Sequence, residues 1–167
     1  MTTQADYDKV WSLIEGTRFC MFVQIHRADG LLCSRPLTTQ NKSLDEGILY
    51  FFIPKDGEIA QDLAHDARVN LAYANVDDDV YVSIAGEAHL SDDQAKKEEL
   101  FNAFAKAWFP GGASDPNLAL VAVRMKGAEY WNTKESKVTQ LFKMVKANLT
   151  GAPPSDLGER GKIGGPN

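Results

Sequence analysis

The chain has 167 residues, 44% of them apolar and 25% charged, which suits one globular domain around one core. Its net charge of −5 argues against nucleic acid or an anionic membrane as the main partner, since both need a basic face. The chain lacks an apolar run of the roughly 18 residues a transmembrane span requires, and Met1–Asp6 lacks the basic and apolar regions of a signal peptide, so the cytoplasm is the expected location.

Residues 4–15 carry Tyr7, Val10, Trp11 and Ile14 at the spacing of one buried helix face. Thr3, with Asp6 three residues on, has the form of a capping box. From Arg18 to His26 the period changes to alternation. Phe19, Met21, Val23 and Ile25 share one face, and Cys20, Phe22, Gln24 and His26 the other. The Asp29-Gly30 turn then makes a hairpin with a strand over Leu31–Thr39. Cys20 and Cys33 lie on these two strands and read as free structural thiols.

Lys42–Gly47 is a polar turn. Ile48–Ile53 is apolar on both faces and predicts a central strand covered on both sides. Pro54 ends it, and Asp56 is placed to cap a short helix with Ile59, Ala60, Leu63 and Ala64 on one face. Val69–Ala74 is a further strand. The Asp77-Asp78-Asp79 turn leads into Val80–Leu90, where Gly86 suggests a bulge or tight bend. Ser91 with Gln94 resembles a capping box for a helix carrying Leu100, Phe101, Phe104, Ala105 and Trp108, stopped by Pro110-Gly111-Gly112. Leu118–Met125 and Ala128–Trp131 form the last long strand. Thr133–Ala147 predicts an amphipathic helix with Val138, Leu141, Phe142 and Val145 on one side. Residues 151–167, rich in Gly, Pro and charge, predict a tail disordered on its own, which leaves 1–150 as the domain. Antiparallel runs with peripheral helices predict a mainly β fold, a small six-stranded antiparallel barrel.

Familiar chemical constellations are absent. His26, His65 and His89 show no HxxxH or HExxH spacing, and the twelfth position from Asp77 is Ala88 where a calcium loop needs Glu. No metal is expected. GxSxG, GxGxxG and GxxxxGK[ST] do not occur. The aromatic pairs Trp108-Phe109 and Tyr130-Trp131 are compatible with either a core or a ligand wall. The informative stretch is Ser34-Arg35-Pro36-Leu37-Thr38. It sets one arginine among apolar strand residues, where an unpaired charge is costly and an anionic partner such as phosphate is called for.

Ser34–Thr38, the run Leu49–Asp56 leading to Arg68-Val69-Asn70, and Ala107–Pro116 followed by Ala128-Glu129-Tyr130-Trp131 together resemble the flavin-binding split-barrel superfamily of pyridoxamine 5'-phosphate oxidases, over about residues 5–147. Their order and spacing are closest to its general stress protein branch. The resemblance implies a six-stranded antiparallel split β-barrel that forms a homodimer and holds a flavin nucleotide, FMN or FAD, at the subunit interface. It implies that Arg35 binds the flavin phosphate and that Pro36, Leu37 and Thr38 line the ring. Phe51, Phe52 and Ile53 would supply the opposing strand, whose backbone meets the ring's polar edge. Trp131 matches the family's tryptophan near the ring, with the partner subunit as one source of it.

Two departures qualify this picture. Where relatives carry a serine and a basic residue that help hold the phosphate, Gly57 and Ile59 stand here. Lys55 is the remaining candidate cation at that turn. The residues after Trp131, Asn132–Lys137, lack the arginine- and histidine-containing substrate motif of the oxidase proper, so vitamin B6 oxidation is not expected. Two functions stay open. One is a flavin-binding stress protein, with flavin-dependent oxidoreductase activity undecided. The other is a dimeric interaction or scaffold protein that has lost tight cofactor binding.

Overall fold

The computed structural model describes residues 1–133, 137–153 and 158–165. Helix α1 spans Gln4–Ile14 and opens on the expected box: Thr3 Oγ1 accepts from the Asp6 N–H, and Asp6 Oδ2 accepts from the Thr3 N–H at 2.8 Å. Its buried face is Val10, Leu13 and Ile14, with Tyr7 and Trp11 packed partly against the core. Among the described residues seven strands follow: β1 Phe19–Ile25, β2 Leu32–Thr38, β3 Ile48–Pro54, β4 Arg68–Asn75, β5 Val80–Ser91, β6 Leu118–Asn132 and β7 Glu159–Gly164. They form one antiparallel sheet in the order β2-β1-β4-β5-β6-β3, with β7 also on β6. The sheet curls into a half-barrel whose ends, β2 and β3, approach each other. The alternation read over Arg18–His26 is present in β1, and β4 and β5 show the same period. Cys20, Phe22 and Gln24 of β1, Leu71 and Tyr73 of β4, and Val80, Val82 and Ile84 of β5 face inward and are buried.

A register shift falls between Ala85 and Gly86, where Lys126 is the extra residue of β6. Only glycine suits position 86: a Cβ there would stand 2.8 Å from Arg124 O and 2.9 Å from Val123 Cγ1. This bulge bends the two longest strands so that the sheet can curl.

The structure departs from the sequence expectations at several ends. β3 is an edge strand rather than a central one. It pairs with β6 alone, and its second apolar face, Tyr50 and Phe52, is half-covered by residues outside the sheet. Helix α2, Glu58–His65, takes Gly57 as N-cap rather than Asp56. Helix α3, Gln94–Leu100, is capped by Asp93 and not Ser91, with the Asp93 carboxylate accepting from the Lys96 N–H at 2.9 Å. The single helix expected through Trp108 breaks at Phe101, and α4, Ala103–Trp108, restarts on Asn102, whose side chain accepts from the Phe104 and Ala105 N–H groups. Helix α5 spans Lys137–Thr150, and its Leu141, Phe142 and Val145 are solvent-exposed; the side chain of Val138 lies outside the described residues.

Residues 159–164, expected within a tail without structure of its own, instead pair with β6 from Gly127↔Gly164 to Asn132↔Glu159. β6 lends the ladder that the tail cannot build alone. Ile163 is buried, and Gly161 lies against the Tyr130 ring where any Cβ would come within 2.4 Å of the hydroxyl oxygen. The two thiols are free. Cys20 faces Leu37 while Cys33 faces Gln24, so they are not opposite one another. Burial pushes the Cys20 thiol up to about 12.

Candidate functional site

The seam between β2 and β3 is where most of the predicted site residues gather. Thr39, just past β2, donates its N–H to Arg18 O at 3.2 Å, so the backbone groups of Leu37 and Arg35 also turn toward β1. By strand alternation, those of Ser34, Pro36 and Thr38 turn to the free edge. Pro36, which has no N–H, sits on that edge, as a strand proline should. The Thr38 carbonyl there accepts from Gln40 Nε2 at 3.1 Å. On the other side, the Tyr50 carbonyl accepts from the Gln40 N–H at 2.9 Å, and the Tyr50 N–H donates to Asn41 Oδ1 at 2.7 Å. The Phe52 backbone therefore also points away from β6, into the seam. Among the described residues β2 and β3 form no ladder with each other. Two free strand edges face one another, with hydrogen-bonding groups at hand for a flat ligand.

The far end of the seam carries the charge. Arg35 lies opposite Phe22 on β1 and pairs with Glu58 Oε2. Glu58 is the first residue of α2. The Arg35 hydrogen bond and charge hold the Glu58 carboxyl below its ordinary range. Since the depressed group is ionised above that range, the pair is present at neutral pH and is lost only as acid protonates Glu58.

One turn along the same face of α2, Asp62 is fully buried. Its Oδ1 accepts from the Arg27 N–H at 3.1 Å and from Arg27 Nη1 at 3.4 Å, and its Oδ2 accepts from Gln24 Nε2 at 3.4 Å. Burial raises the Asp62 carboxyl; the Arg27 N–H, the Gln24 amide and the charges of His26 and Arg27 outweigh it and hold the group below its usual range. This tie pins α2 to β1 and so sets Glu58 beside Arg35.

The remaining predicted residues divide. Phe51 and Ile53 send their side chains into the core, at 0% and 1% exposure, and Phe51 meets Phe22 edge-on at 5.4 Å. Phe52 turns the other way and lies 6.2 Å from Phe101. Leu37 packs partly on the core. Lys55 is exposed, and its N–H donates to Asn117 O at 2.8 Å. Trp131 is far along β6 from the stretch that pairs with β3; it is paired with Tyr81 and Arg160 across the ladders, and the Arg160 guanidinium stands 5.5 Å from its ring. Within one chain it does not join the seam. Ile59 is a core residue at 7% exposure. Glu58 and Asp62 carry no sequence signal of their own, because both partners are distant in the chain.

A hollow of about 310 Å³ adjoins the Asn41–Tyr50 end of the seam, with Arg35 not among its lining residues; it is lined by Asn41, Ser43, Tyr50, Lys96, Glu99 and others. Lys96 there is held by Glu99 at 2.8 Å and stands 5.5 Å from the Tyr50 ring. Lys42, Asp45 and Glu46 also line it, so its charges are of both signs. Among the described residues no group of three His, Cys, Asp or Glu is placed to hold a metal. No helix among them is long and apolar enough to cross a membrane.

A family model described as pyridoxamine 5'-phosphate oxidase like matches residues 5–155. The chain belongs to this family. Among solved structures, it is similar to a general stress FMN/FAD binding protein of Xanthomonas citri, at 30% identity over 80% of this chain and 93% of that one, with a TM-score of 0.68. It is also similar to a Jannaschia sp. CCS1 protein provisionally assigned to general stress protein 26, at 25% identity, 93% and 95% coverage and a TM-score of 0.73. Protein bli-3 of Neurospora crassa is 24% identical over 153 residues, 85% of this chain and 72% of that one.

Against a flavin nucleotide, the seam of this family member fits at the ring: two free edges offer donors and acceptors to a flat, polar-rimmed heterocycle. At the phosphate it offers one guanidinium, already engaged by Glu58, and no cation at position 59.

Proposed function

We propose that this chain is a flavin-binding protein of the general stress type, acting as a homodimer. The observation that carries the reading is the Arg35-headed seam between two unpaired strand edges, in a chain similar to a protein described as a general stress FMN/FAD binding protein. Arg35 takes the phosphate of FMN or FAD, because a guanidinium matches phosphate oxygens in a planar fork. Pro36, Leu37 and Thr38 lie along one side of the ring, and the Phe52 backbone bonds its polar edge from β3. Trp131 joins the site from the partner subunit, since its own chain carries it away from the seam. Lys55 stays in solvent near the phosphate end.

A bound flavin supplies the electron or hydride chemistry; the chain binds and orients the ring and tunes it through backbone groups. Vitamin B6 oxidation is not part of this reading. The test is retention. Protein mixed with FMN or FAD and passed through gel filtration is expected to elute as a dimer with flavin bands near about 370 and 450 nm, as for an oxidised bound flavin. Colourless protein from both mixtures contradicts the reading and moves the scaffold alternative ahead.

A further inference from the structure

We propose that Glu58 is the specificity-determining residue of the seam: it holds Arg35 as an internal stand-in for phosphate, and so lowers the preference for FMN over riboflavin. The inference rests on reading the seam as a flavin site.

Three observations carry it. Arg35 and Glu58 are already an ion pair, with side chains 40% and 59% exposed. A carboxylate bound by an arginine at the first turn of a helix has the same partners a phosphate would seek there: a guanidinium fork and the positive end of the helix dipole. The helix that carries Glu58 is held against β1, because Asp62, one turn on, is fully buried and tied to Arg27 and Gln24, so the Glu58 side chain extends from a fixed backbone beside Arg35. Finally, the turn before α2 adds no fixed cation beside the pair, and the cations on the β1 side, His26 and Arg27, are held by Asp29 and Asp62. Position 59 is a core isoleucine, Gly57 caps the helix without a side chain, and Lys55 is exposed.

The consequences differ for the two ligands. The phosphate of FMN carries about −1.5 to −2 charges at neutral pH. To reach Arg35 it must expel the Glu58 carboxylate, which then stands beside it as a like charge. Riboflavin ends in a hydroxyl. That hydroxyl can donate to Glu58 and leaves the Arg35–Glu58 pair intact. The ring contacts are common to both ligands, so Glu58 acts on the ratio of affinities rather than on flavin binding as such.

The experiment titrates riboflavin and FMN, by quenching of flavin fluorescence, against the wild-type protein and Glu58→Gln, with Glu58→Ala as a second variant. Urea unfolding of each protein reports whether the fold is kept. Both substitutions are expected to raise the FMN-to-riboflavin affinity ratio about tenfold, the scale of one charge-assisted hydrogen bond, with riboflavin affinity changed less than about threefold. If wild type binds FMN and neither variant changes the ratio, Glu58 only fastens α2 to β2; the inference is then wrong and the flavin reading stands. If stability falls and both flavins weaken in parallel, the same conclusion holds. If no protein in the set binds either flavin, the functional reading fails and takes the inference with it.

Discussion

Replacing Phe51 with alanine is expected to destabilise the protein by about 3–5 kcal/mol, the range for deleting a buried phenylalanine ring. Phe51 has no solvent exposure and meets Phe22 in an edge-to-face contact at 5.4 Å. It belongs to β3, the end strand of the half-barrel, which is hydrogen-bonded to the sheet on one edge only. Packing of Leu49, Phe51 and Ile53 against the core is therefore what keeps β3 in place. A domain of this size is stable by only about 5–15 kcal/mol, so the loss is a large share of the total. Urea unfolding followed by far-UV circular dichroism measures it. A change under about 1 kcal/mol would mean that the ring faces a ligand rather than the core.

Arg35→Ala is expected to weaken FMN binding about tenfold and leave riboflavin nearly unchanged. A charge-assisted hydrogen bond is worth roughly 1.5–3 kcal/mol, which by itself would give ten- to a hundredfold. The low end applies because the guanidinium gives up Glu58 when it takes the phosphate. In a Glu58→Gln background that offset disappears, and the same arginine substitution is expected to cost nearer a hundredfold. Two residues in direct contact should be non-additive in this way. Fluorescence titration of the four proteins checks it. Equal FMN affinity in wild type and Arg35→Ala would remove Arg35 from the phosphate site.

These two positions also show how much was legible in the sequence. Alternation grouped Cys20, Phe22 and Gln24 on one face of β1, because a strand leaves a period-two trace in local order; that this is the buried face came only with the fold. Gly86 marked the bulge, since a backbone that approaches another within van der Waals range admits no side chain. Arg35 stood out as a charge on an apolar strand. The misses share one cause, dependence on residues far along the chain. Ile48–Ile53 looked central because both faces are apolar, yet its outer face is covered by Phe101 and the Lys96 side chain rather than by a layer of sheet. β7 exists because β6 has a free edge beyond β3, which nothing in residues 159–164 announces. Glu58 reads as an ordinary first-turn acid until the fold brings β2 beside it. The caps of α2 and α3 differ by one or two residues from the local patterns, where Gly57 and Asp93 had competing neighbours in Asp56 and Ser91.

Hydrogen–deuterium exchange of the protein with and without saturating FMN tests the location of the site most directly, because bound ligand slows local opening of the backbone it contacts. Protection is expected in peptides covering Ser34–Thr39 and Phe51–Glu58, with no change around the hollow lined by Ser43, Lys96 and Glu99. Protection centred on that hollow, with β2 and β3 unaffected, would contradict a flavin site at the seam.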